Sequence, residues 1–119
     1  MSGRPPQRKG STGENEVVAI LRQHGWRTAA RNLLQSREGG ADITGTWPLC
    51  VEVKRTERSD PWRWWQQVSA ASKPGEIPCV TFRRSGSEWL AIVSLEELLI
   101  LLEQQALERT MSRALEDSA

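Results

Sequence analysis

The sequence has one histidine, two cysteines, no tyrosine and no apolar run of membrane-spanning length. Each shortage excludes a class of protein. A Ser-His-Asp or Cys-His hydrolase would have to use His24, whose position before Gly25 at a helix end suits a partner of the helix dipole better than a general base. Cys50 and Cys79 cannot build a disulfide framework and lack the paired spacing of a zinc site. Each lies in an apolar run, so both are expected as reduced, buried thiols. The opening MSGRPPQRKG is basic but has no apolar h-region, which argues against a secretory signal. Without a spanning segment either, a soluble cytoplasmic protein with no membrane partner is expected. At 119 residues the chain has room for one compact domain.

What is present is unevenly charged. The formal net charge is only +1, but residues 1–84 hold 14 Lys/Arg against 8 Asp/Glu, whereas residues 85–119 hold 2 against 7. A basic body with an acidic end is a pattern of proteins that touch polyanions, although a solvated terminal helix produces the same asymmetry.

Residues 1–10 are Arg-, Lys-, Pro- and Gly-rich without periodicity and read as a flexible basic arm. Ser11-Thr12-Gly13-Glu14 has capping-box spacing, and Val17, Val18, Ile20 and Leu21 then supply one apolar helical face up to the Gly25 stop. Residues 26–34 form a weak first strand. Residues 41–45 and 49–54 form two more, joined by a turn around Trp47-Pro48. Pro61 opens a helix that Lys73-Pro74-Gly75 breaks. Residues 78–82 and 88–93 make a hairpin, and Ser94, with Glu97 three residues on, caps a last helix. The order α-β-β-β-α-β-β-α predicts an α/β or α+β fold with one mixed sheet between helices.

Asp42 and Glu52 are acids on strands expected to be neighbours. Alternation puts Glu52 and Lys54 on one face of the best strand and Val51 and Val53 on the other. Acids among core valines need compensation, which a divalent cation bridging Asp42 and Glu52 would supply. Lys54 could then face a phosphate. The plainer alternative is a Glu52–Lys54 pair on an exposed strand face.

The segments Gly40-Ala41-Asp42-Ile43 and Val51-Glu52-Val53-Lys54 resemble the paired motifs of the PD-(D/E)xK nuclease superfamily. Arg8-Lys9-Gly10-Ser11-Thr12-Gly13-Glu14 before an amphipathic helix is similar, more specifically, to the archaeal-type Holliday junction resolvases, also found in phages. The resemblance covers residues 8–102. Asn15 departs from it, standing where those resolvases usually place Arg, and the interval from Asp42 to Glu52 is short.

The resemblance implies a restriction-endonuclease-like PD-(D/E)xK core in residues 11–108, between the 1–10 arm and an acidic C-terminal tail at 109–119. It implies a Mg²⁺ site, with Mn²⁺ as a substitute, made by Asp42, Glu52, the Val53 carbonyl and Glu14. Lys54 would be the catalytic lysine, and Gln67, with Gln66 as the competing choice, a polar group presented to the site. Arg31 would match a basic residue after the first helix. Arg4, Arg8, Lys9, Arg31, Arg55 and Arg58 are candidates for DNA-backbone contacts. The implied function is symmetric nicking of four-way junctions by a homodimer, in DNA recombination and repair in a prokaryotic cell or phage-infected host. Another nuclease of the superfamily (flap, nicking or sequence-specific) and a non-catalytic DNA-binding module are the alternatives. No base-reading element is evident, so recognition of DNA shape is expected.

Two apolar features remain. Six tryptophans include Trp62, Trp64 and Trp65 around Arg63. Trp62 and Trp65 are expected to pack on the sheet, with Trp64 pointing to an interface or to DNA. The last helix is apolar on most sides (Leu95, Leu98, Leu99, Ile100, Leu101, Leu102), which independently favours a homodimer.

Overall fold

A computed structural model of the chain describes residues 6–34 and 40–118, with side chains described from Thr12 onward. The elements are α1 (Pro6–Gln23), β1 (Ala30–Arg31), β2 (Ile43–Thr44), β3 (Leu49–Arg55), α2 (Pro61–Ala71), β4 (Ile77–Arg83), β5 (Leu90–Ile92) and α3 (Leu95–Asp117). Their order is the one expected from the sequence. The fold is α/β, with a mixed five-stranded sheet in the order β1-β2-β3-β4-β5. β3 and β4 run parallel in the register Val51↔Cys79, Glu52↔Val80 and Lys54↔Phe82, and the other neighbours are antiparallel. Parallel neighbours need a long crossover, and α2 is that crossover.

The strand alternation separates two cores. Val51, and less completely Leu49 and Val53, pack with Val17 and Val18 of α1, Ala29 and Ile43. Cys50 packs instead with Trp64 and Val68 of α2 and with Val80. Glu52 lies between Val51 and Val53 in sequence and therefore turns to the α2 face, as alternation requires. Cys50 and Cys79 are free and buried. Burial pushes the Cys79 thiol up to about 11 and raises that of Cys50 as well, so neither carries thiolate chemistry.

Several boundaries differ from expectation. α1 begins at Pro6, ahead of the Ser11 capping box, so residues 6–10 are its first turns and only residues 1–5 of the expected arm lie outside the described residues. Proline suits a first helical turn, and Gln7, Arg8 and Lys9 are good helix formers. At the other end Gly25 has φ +105°, its N–H reaches Arg22 O and the Trp26 N–H reaches Leu21 O, a Schellman stop. The strand expected over 26–34 shrinks to Ala30–Arg31, because Trp26 is taken up by that stop and by the α1 core.

α3 runs unbroken through residue 109 to Asp117, so residues 109–117 continue the helix and are not a separate tail. Its last turns balance Arg109 and Arg113 against Glu116 and Asp117, and the acidity lies upstream, from Glu88 to Glu108. Trp62 and Trp64 exchange their expected roles, whereas Trp65 packs against the sheet-side core as expected. Trp64 is the buried one, 5.5 Å from the Phe82 ring, Trp65 is half-buried, and Trp62 is exposed. The sheet-facing stripe of α2 is centred on Trp64 and Val68, four residues apart, and Trp62 falls off it.

Two details fix α1 on the sheet. A Cβ on Gly13 would lie 2.9 Å from Arg55 Cβ, so glycine is what lets the helix approach β3 this closely. Glu16 Oε1 then accepts from Arg83 Nη1 at 2.7 Å and from Trp89 Nε1 at 2.9 Å, with the Arg83 guanidinium 5.9 Å from the Trp89 ring centroid. That charged, stacked clamp ties α1 to β4 and to the approach to β5.

Candidate active site

Five residues distant in sequence line one cleft of about 660 Å³: Glu14 from α1, Asp42 just before β2, Glu52 and Lys54 from β3, and Gln67 from α2. Gly40, Val53, Ala70 and Ala71 complete its wall. Gln67 lines the cleft and Gln66 does not, which decides between the two glutamines.

Asp42 and Glu52 form its acidic centre. The Asp42 N–H donates to Val51 O at 3.1 Å, and the Val53 N–H donates to Asp42 Oδ2 at 2.7 Å. The backbone of β3 thus holds Asp42 at both its amide and its carboxylate. Glu52 is only 7% exposed. Burial, then the hydrogen bond to Asp42, then the Asp42 charge push its carboxyl up to about 8, and Lys54 pulls the other way. Thr81 Oγ1 donates to the Glu52 carbonyl at 2.9 Å, fixing the strand there.

Glu14 reaches the same cleft with its carboxylate already engaged, because Arg31 Nε donates to Glu14 Oε1 at 3.1 Å. Arg31 is therefore the ion-pair partner of Glu14, not a free phosphate contact. Arg55 is also engaged, by Glu57 Oε1 at 3.4 Å and Ser85 Oγ at 3.1 Å. Arg58 is exposed on the loop before α2. Arg8 and Lys9 lie on α1, but their side chains are outside the described residues, as is the whole of Arg4.

Among the described residues no group of three or more His, Cys, Asp or Glu side chains could hold a metal ion. The donor set is smaller: two carboxylates, one of them buried and short of its ordinary ionisation. Such a pair fits a hard, oxygen-seeking cation that keeps several of its waters, which is how Mg²⁺ binds. It does not fit a caged metal, and Glu14 could join through Oε2 while Oε1 keeps its bond to Arg31.

Sequence reasoning missed Glu16, Arg83 and Trp89, whose clamp sets the position of α1 and hence of Glu14. No helix among the described residues is long and apolar enough to cross a membrane. No family model matches the chain, and no curated protein matches it. Function is therefore read from the cleft itself.

Proposed function

We propose that the chain is a Mg²⁺-dependent, structure-specific endodeoxyribonuclease with a PD-(D/E)xK core, resolving four-way DNA junctions as a homodimer. The observation that carries this reading is the convergence of Asp42, Glu52 and Lys54 with Glu14 and Gln67 on one cleft. The residue leading into β2, strand β3, α1 and α2 all contribute to it, and their polar groups gather around a buried glutamate beside a half-buried aspartate.

Asp42 and Glu52 would hold the cation, with Val53 adding its backbone carbonyl. A bound divalent cation supplies charge neutralisation at a phosphate and acidity to a water. Val53 N–H keeps the Asp42 carboxylate aimed through its 2.7 Å hydrogen bond. Lys54, beside Glu52 on the same strand face, opposes the extra negative charge that a phosphodiester gains as water attacks in line. Gln67, exposed on α2, offers an amide to the phosphate or to that water. The 3′-oxygen leaves, giving a 5′-phosphate and a 3′-hydroxyl.

Homodimerisation is supported by α3, whose leucines stand exposed from Leu95 to Leu102. Two copies would bring two clefts to the two strands of a symmetric junction.

Asp42→Ala separates binding from cleavage. Junction DNA should still be bound by the variant, measured by gel shift in EDTA, while Mg²⁺-dependent nicking disappears. Nicking that persists at the wild-type rate in Asp42→Ala would overturn the reading.

A further inference from the structure

The cleft holding Asp42 and Glu52 continues into a second groove. Gly40, Ala70 and Ala71 line both, and the second, about 930 Å³, carries Trp47, Arg27 and Lys73 along its wall. Trp47 belongs to neither hydrophobic core and is 66% exposed. Its ring is nevertheless braced: a Cβ on Gly75 would lie 3.1 Å from Trp47 Cη2, so the far edge of the indole rests on the turn between α2 and β4. Gly75 has φ +86°, a conformation that suits glycine and leaves this edge contact open to the ring. The one acid on the wall among the described residues, Glu76, accepts from the Lys73 backbone N–H at 2.7 Å and so serves the same turn.

A large indole held at one edge in a groove with two cations is a surface for a base and its phosphates. A base inside a duplex has both faces covered by its neighbours, so only an unpaired nucleotide can offer a face to such a ring. Resting on the nuclease reading above, we propose that a nucleotide unpaired at the branch point stacks its base on Trp47, with Arg27 and Lys73 against the adjoining phosphates. Stacking is tolerant of base identity. The groove would select DNA that opens at a branch point over continuous duplex without reading sequence.

The test uses forked and fully paired oligonucleotides carrying 2-aminopurine at successive positions around the branch, bound in EDTA so that no cutting intervenes. One position in the fork should change fluorescence on binding to the wild-type protein, and Trp47→Ala should abolish that change. The same variant should weaken fork binding about tenfold and duplex binding less than twofold. Trp47→Phe, which keeps an aromatic face, should retain most of the fork affinity and would expose a mere folding defect in the alanine variant. An unchanged fluorescence response in Trp47→Ala, or equal weakening on fork and duplex, overturns the stacking site. If the wild-type protein instead binds neither DNA, the nuclease reading falls and the stacking site with it. Mg²⁺-dependent cutting that survives beside an inert Trp47 removes the stacking site alone.

Discussion

At the scale of residues, Glu52 is 7% exposed beside Asp42, so a proton or a cation has to neutralise the pair. Without metal the proton does so, and stability follows from that. The folded carboxyl titrates at about 8 against an ordinary 4.5, so the folded state holds a proton that the unfolded chain has lost. This contribution is full below the unfolded value and disappears as pH rises through the folded one. Denaturant titrations in EDTA at pH 5, 7 and 9 should therefore show stability falling by a few kcal/mol on the order expected for a buried carboxyl. Glu52→Gln, which cannot titrate, should flatten most of that slope. An equally steep slope in the variant would show that another group is responsible. Lys54 belongs to the same scale. Lys54→Ala should slow cleavage by on the order of 10²- to 10³-fold and change DNA affinity by only a few fold, seen by comparing single-turnover rates with gel-shift titrations.

At the scale of elements, the position of α1 decides where Glu14 lies, and Glu16 holds that position through Arg83 and Trp89. Glu16→Ala leaves a half-buried guanidinium without its carboxylate and should cost about 2 kcal/mol, or roughly 10 °C in Tm for a domain of this size. Glu16→Gln, which keeps an oxygen for Trp89, should lose less. Equal melting of all three proteins would contradict the clamp. This contact was not legible beforehand, because it joins residues 67 and 73 positions apart and each has an ordinary solvated reading in sequence. Signals with local physics were legible. Gly25 ends α1, Pro61 opens α2, and the Ser94 side chain accepts from the Glu97 N–H to cap α3. The start of α1 was misread because Ser11 offers a good capping box while Pro6 offers an earlier first turn. Trp62 and Trp64 were misassigned, though Trp65 was not, because aromatics this closely spaced leave the phase of the helix undetermined until the sheet selects one face.

At the scale of the whole molecule, the chain measures 67 × 29 × 25 Å, too long for a compact domain of this size. The 23 residues of α3 account for it, since a helix of that length spans about 34 Å and none of its residues is buried. Leu95, Leu98, Leu99 and Leu102 lie along one side of it, and Ile100, Leu107, Met111 and Leu115 along another, all exposed. Such apolar area calls for a cover, and a second copy is the proposed one. Light scattering should give twice the 13.4 kDa of one chain, and Leu99→Glu with Leu102→Glu should return it to one. A wild-type monomer at micromolar concentration would remove the homodimer. The gathering of Asp42, Glu52 and Lys54 was legible because two short motifs on adjacent strands face one another through strand periodicity. The Arg31–Glu14 pair was not, since it depends on how β1 sits beside α1.

The cleft is proposed to cut branched DNA using a cation held by Asp42 and Glu52. The direct measurement incubates labelled four-way junction, Y-fork and linear duplex side by side with Mg²⁺ or with EDTA and resolves the strands on a denaturing gel. Asp42→Ala serves as the control for contaminating nuclease. Paired symmetric nicks in the junction alone, requiring both Mg²⁺ and Asp42, are the predicted result. Tight junction binding with no cutting under Mg²⁺ or Mn²⁺ would contradict it and leave a DNA-binding module.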